Sequence, residues 1–172
     1  KYINKLNKTC KFPKQKEKTY TTKETEADKE IVSQINELTS NLKGVTYLTS
    51  FHKPKFEITK HESLDGYIKK RIGAGKALST YMIRSALRSS HVALVEHIEG
   101  SQKAMKYFKF KGKSNHTGNK IKKIEELIEL DKLPIRNNIF DKELFPSWLI
   151  NKEEYTHACK QELAIYKKIS SF

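Results

Sequence analysis

Near His91 the spacing of apolar residues changes character, and this change constrains the fold more than any other feature of the chain. Upstream of it, Ile31, Val32, Ile35, Leu38 and Leu42 recur at helical intervals and put one apolar stripe on a helix. Leu64, Tyr67, Ile68 and Ile72 repeat the pattern, as do Met82, Ile83, Ala86 and Leu87. Downstream, Val92 to Ile98 and Ala104 to Phe110 are short runs with β-branched and aromatic residues. Between them lies a polar stretch, 99–103, that contains Gly100. Two such runs joined by such a turn predict a β-hairpin.

Helix punctuation fills in the remainder. Thr21 with Glu24 has the spacing of a capping box, and Gly44 suits a helix C-terminus. Val45 to Phe51, resuming at 56–59, reads as a short strand. Ser63 caps a second helix, Gly73 and Gly75 break it, and Ser79 or Thr80 caps a third. The order is then helix, strand, helix, tight turn, helix, strand, wing, strand. That is the order of a winged helix-turn-helix, so the expected class is α+β and helix-rich. Residues 1–20 read as a basic linker or tail and 21–113 as the winged-helix domain. The polar stretch 111–119 is the best boundary. Residues 119–172 read as a smaller domain, helical or a second winged helix. Phe140, Leu144, Phe145 and Trp148 would anchor it, and Asn151 with Glu154 would cap its last helix.

The formal net charge is +14, with 34 basic against 20 acidic residues. Lysine codon bias would spread that excess along the chain, but it is focused. Residues 60–120 hold 13 basic and 4 acidic side chains, while 121–172 hold 9 of each. Focusing of this kind is the footprint of a polyanionic partner. Three of the four arginines, Arg71, Arg84 and Arg88, fall within 71–88. Arginine makes forked contacts with phosphate and guanine that lysine does not. The expected nucleic-acid or partner-binding residues are therefore Thr80, Arg84 and Arg88 on the recognition helix and Lys76 in the turn before it. The wing would add Lys103, Lys106 and Lys109. A basic outer face is also what an ordinary solvated helix shows, and many winged helices bind protein.

Other chemistries fit poorly. Metal-ligand spacing is missing: there is no HExxH, and His91 and His97 would stand about 20 Å apart on one strand. Gly73-Ala74-Gly75-Lys76-Ala77 departs from a phosphate-binding P-loop at the first glycine and at the Ser/Thr after lysine. A nuclease would want paired carboxylates near lysine, for which Glu57 with Lys60 is the one candidate. Tyr107, Phe108 and Phe110 could stack on bases, although aromatics at such positions more commonly pack. No cofactor, metal, small-molecule substrate or membrane partner is expected, and the chain does not read as an enzyme. Cys10 and Cys159 sit far apart in sequence, which suits a reducing compartment. The chain begins on lysine and reads as a piece of a longer protein.

The helix Met82-Ile83-Arg84-Ser85-Ala86-Leu87, the run Ala93-Leu94-Val95 and the pair Tyr107-Phe108 resemble the C-terminal winged-helix region of the Stn subunit of the CST telomere-capping complex. The amphipathic helix from Ile121 to Ile128 and the closing stretch Tyr166 to Phe172 are similar too. The resemblance implies a non-catalytic, nuclear role in telomere capping and DNA replication. Its partners would be other subunits, polymerase α–primase, and single- or double-stranded DNA. The alternatives are a sequence-specific winged-helix initiator or transcription regulator and, less favoured, a basic nuclease.

Overall fold

A computed structural model describes residues 2–3, 9–10, 23–51, 63–112, 119–135 and 142–172. Among these the chain is built from helices: α1 (Glu26–Ser40), α2 (Leu64–Ser89), α3 (His91–Glu99), α4 (Ser101–Tyr107), α5 (Lys120–Leu130), α6 (Ser147–Ile150) and α7 (Lys152–Ser170). Single 3-10 turns occupy Val45–Tyr47 and Lys142–Leu144. Extended pairing is minimal. Tyr2–Ile3 (β1) lies antiparallel to Thr9–Cys10 (β2), and an isolated bridge joins Phe51 to Ile135.

The α+β winged-helix expectation is therefore overturned. The segment expected to form the wing hairpin is helical, and the expected helix-turn-helix is one continuous helix. Two causes account for this. Ser90 has extended backbone and its Oγ accepts from the Ala93 N–H at 3.1 Å, so it starts α3 where a strand was expected. Leu94, Val95 and Ile98 then turn inward together at helical spacing. Gly100, at φ 89°, ends α3 and lets α4 start at once. Val92 to Ile98 was short enough for either reading, and burial of one helical stripe decided it.

The second cause lies in α2. Gly73 and Gly75 do not break it, and neither Ser79 nor Thr80 caps a new helix. Ser79 is fully buried in mid-helix, and the Thr80 hydroxyl donates to the Thr39 carbonyl at 3.1 Å. Gly75 is the point at which the 45–47 turn meets α2. A Cβ on Gly75 would stand 2.9 Å from Leu48 Cγ, and one on Gly44 would stand 2.3 Å from the Gly75 carbonyl oxygen. Close packing there outweighs the roughly 1 kcal/mol that glycine costs a helix interior.

Other expectations survive with shifted edges. The first helix carries a capping box, but Thr25 and Asp28 form it, and Thr21, the expected cap, lies outside the described residues. Ser63 caps α2, accepting from the Gly66 N–H at 3.0 Å. Asn151 caps α7, accepting from the N–H groups of Glu153 and Glu154. The expected strand at 45–51 is a 3-10 turn followed by the Phe51 bridge, while 56–59 lies outside the described residues.

Buried side chains from α1, α2, α3, α5, α6, α7 and the 45–47 turn form one hydrophobic cluster, which includes Ile35, Leu48, Ile83, Ile98, Ile124, Leu149 and Tyr166. Phe145 belongs to it and meets Phe51 edge to face at 5.1 Å. Trp148 lies at its margin, half-buried, stacked on Tyr155 at 6.5 Å with Lys43 Nζ 5.2 Å from its ring. Phe140 lies outside the described residues.

One carboxylic acid of the described residues is buried with this cluster. Glu162, on the inward stripe of α7, is 1% exposed. Its Oε2 accepts from the backbone N–H groups of Lys43 and Gly44, both at 2.8 Å, and of Val45 at 3.4 Å. Its Oε1 has no hydrogen-bond partner among the described residues. Burial pushes the carboxyl above its ordinary range, although the three N–H groups and Lys120 pull it down. One α7 turn away, burial drives the Cys159 thiol up to about 11. No described helix is long and apolar enough to cross a membrane.

Candidate nucleic-acid interface

The outer face of α2 carries the site. Lys76, Thr80, Arg84 and Arg88 follow one another at four-residue intervals and line one groove of about 790 Å³. Small side chains make its floor: Gly73, Ala77, Ser85 and Ser89 of α2 and Ser40 at the end of α1. The rim is cationic and aromatic, since Lys76, Arg84, Arg88 and Tyr81 all stand exposed. At about 1.5 Å per residue the cations from Lys76 to Arg88 span about 18 Å. Among the described residues neither carboxylate nor imidazole lines the groove. No ion pair holds Lys76, Arg84 or Arg88 among the described residues. On their other flank the two arginines border a second depression, which contains Glu24, Asp28 and Lys29. Asp28 is committed to the α1 cap.

Thr80 plays a different part from the one expected. It is half-buried and its hydroxyl is bound to Thr39, so it fixes α1 against α2. The three residues assigned to a wing lie instead on and just beyond α4. Lys103 is paired with Glu99, whose other carboxylate oxygen accepts from Ser170 of α7. Lys106 and Lys109 are exposed. The structure thus brings Lys76, Thr80, Arg84 and Arg88 together, and it places Lys103, Lys106 and Lys109 on a separate element.

A second cavity, of about 580 Å³, lies on the other side of α2 and shares Ser85 and Ser89 with the groove. Lys120, Lys123, His97, Glu96 and Asn119 line it. Lys120 Nζ sits 3.8 Å from the centre of the Tyr47 ring and 3.2 Å from the Thr46 hydroxyl. Burial, with Lys123 adding repulsion and Glu162 opposing, brings its ammonium down to about 8. Burial and then Lys120 hold His97 down at about 4, so it is neutral at pH 7. Its Nε2 has no hydrogen-bond partner among the described residues. The apolar run 92–98 predicts His97 on a strand, and Lys120 follows the polar stretch 111–119. Helical numbering from Ser90 would have shown His97 turning inward beside Leu94 and Ile98.

This environment has a measurable consequence. With a pKa near 8, about half of the Lys120 amine is deprotonated at pH 8, against well under a hundredth of an ordinary lysine. In mass-spectrometric footprinting with an acylating reagent, Lys120 should be labelled ahead of exposed lysines such as Lys106 at pH 8. Its labelling rate should level off above pH 9, while theirs goes on rising. If Lys120 reacts no faster than the surface lysines, its amine is not perturbed in this way.

No protein-family model, curated protein sequence or solved structure matches this chain.

Proposed function

We propose that the chain is a nucleic-acid-binding module, acting by binding rather than by catalysis, which holds a phosphate backbone along the exposed face of α2. One observation carries this reading. Lys76, Arg84 and Arg88 stand along a single small-floored groove, with no ion pair among the described residues to neutralise them. Three cations on one rigid helix form a linear array of positive charge, and guanidinium forks suit phosphate oxygens. Phosphate contacts of this kind position a nucleic acid without reading its sequence. The winged-helix mode of docking does not apply, because the segment expected to form the wing is helical. The telomere-capping assignment loses one of its supports with the wing, since Tyr107 and Phe108 end a helix and are not a strand pair. The proposal therefore rests on the α2 face.

A labelled oligonucleotide, followed by fluorescence anisotropy over a salt series, tests it. Binding should weaken steeply with salt. Changing both Arg84 and Arg88 to Gln should remove two phosphate contacts. The slope of log K against log salt should then fall in magnitude by about 1.4 on single strands or 1.8 on duplex. Gln is preferable to Glu because Glu24 and Asp28 lie alongside. The melting temperature should hardly change, since exposed charges contribute little to stability. Unchanged affinity and slope in the double variant would overturn the proposal.

A further inference from the structure

We infer that the end of α4 is a base-stacking platform and that the ligand of this protein is single-stranded nucleic acid. This deepens the reading of the α2 groove and rests on it. At the junction of α2 and α3, three residues beyond Arg88, the His91 ring lies 5.3 Å from Phe108 and 6.2 Å from Tyr107. Tyr107 meets Phe108 at 4.9 Å, and Phe108 stacks on Phe110 at 6.2 Å with 28° between the planes. Phe108 is half-buried and anchors the set. Tyr107 is 67% exposed and Phe110 56%. These are among the most exposed large hydrophobic side chains of the described residues, and each adjoins Phe108.

The backbone holds the rings in place. Lys109 is left-handed at φ 57°, the Phe110 N–H reaches the Met105 carbonyl at 2.9 Å, and the Lys109 N–H reaches the Lys106 carbonyl at 3.3 Å. These two bonds make a Schellman motif, which fixes the direction of the chain as it leaves a helix. Glycine is the usual residue at the left-handed position. Here it is a lysine, and that places one more cation beside the rings. Lys106, Lys109 and Lys111 are exposed and carry no ion pair among the described residues. The carboxylates nearby are engaged: Glu99 by Lys103 and Ser170, and Glu96 by Ser101 at 2.6 Å.

Exposed aromatic rings interleaved with free lysines match a strand whose bases are unpaired. Every base offers a π-face to a ring, and its backbone offers charge to the lysines. A duplex keeps those faces inside its stack. Three residues of chain span about 10 Å at most, so the platform begins within roughly three nucleotides of Arg88. The strand would run along the α2 groove and turn its bases onto the platform.

The test compares three oligomers of equal length on the full chain: oligo(dT), oligo(U), and an abasic phosphodiester strand of the same charge. A hairpin duplex is the fourth probe. The expected result is that Tyr107→Ala together with Phe110→Ala weakens oligo(dT) binding about 5- to 100-fold with little change in salt slope. The same variant should leave abasic and duplex binding unaltered. A like loss on oligo(U) extends the ligand to RNA, and a loss on oligo(dT) alone restricts it to DNA. Equal binding of oligo(dT) and the abasic strand, or a pair of variants with no effect, overturns the platform. In that case the Arg84 and Arg88 variants still test the groove separately. Circular dichroism of each variant before titration establishes that it is folded.

Discussion

Replacing Glu162 with Ala should cost about 2–6 kcal/mol, because two buried N–H donors lose their acceptor at about 1–3 kcal/mol each. The substitution leaves the N–H groups of Lys43, Gly44 and Val45 without their acceptor, and those of Gly44 and Val45 are buried. For a chain of this size the melting temperature should drop by about 10 °C. Glu162→Gln keeps an acceptor oxygen for the same three donors, so it should stay within about 1 kcal/mol of the parent. The pH dependence separates the two further. The folded carboxyl titrates above its ordinary value of 4.5. As pH rises from 4.5 through that raised value, the unfolded chain loses its proton first and the parent loses stability. The Gln variant lacks this loss, so its advantage should shrink as pH falls towards 4.5 in chemical-denaturation curves. If Glu162→Ala melts like the parent, the carboxylate does not organise the 43–45 backbone.

Gly44→Ala should cost about 4 kcal/mol or more, close to the limit for a single methyl group. The residue sits at φ 79°, where a Cβ costs about 1–2 kcal/mol by itself. The new Cβ would also lie 2.3 Å from the Gly75 oxygen and 2.4 Å from its carbonyl carbon. Those atoms belong to the α2 backbone and cannot rotate aside. Relief requires lifting the 45–47 turn off α2 and exposing Val45 and Leu48, which are fully buried. The two glycines of α2 calibrate the result. Gly75→Ala meets only the Leu48 side chain, at 2.9 Å, and should cost about 1–2 kcal/mol after the gain in helix propensity. Gly73→Ala meets nothing within 4 Å and should stabilise by about 0.5–1 kcal/mol. Urea midpoints ranking these three in any other order would contradict the packing of this turn on α2.

Some of this was legible from residues alone. The caps at Ser63 and Asn151 and the stripe of α1 could be read because side-chain chemistry and spacing agree there. The basic face could be read at Arg84 and Arg88, which stand four residues apart on one expected helix; Lys76 joins them because α2 runs unbroken through Gly73 and Gly75. The expected wing is helical because the Ser90 cap outweighs β-branched and aromatic content there, and a short apolar run carries no decisive period. The continuity of α2 was hidden for another reason. Gly73 and Gly75 look alike in sequence, yet a Cβ on Gly75 would press into Leu48 while Gly73 stands beside empty space. Glu162 was passed over because its stripe on α7, with Tyr155, Cys159, Tyr166 and Ile169, reads as apolar, and a carboxylate there has meaning only once the 43–45 backbone is seen to face it.

The unbroken run of α2 also sets a gauge. Its 26 residues make a rod about 39 Å long, and no hinge divides Lys76 from Arg88. The separation of the cations is therefore fixed by residue count, not by the posture of a loop. One residue inserted between Thr80 and Arg84 would swing both arginines about 100° around the axis relative to Lys76. The three would then no longer face the same ligand, though every one of them would still be present. Substitutions along this helix can vary its grip, but its length between those points admits no change.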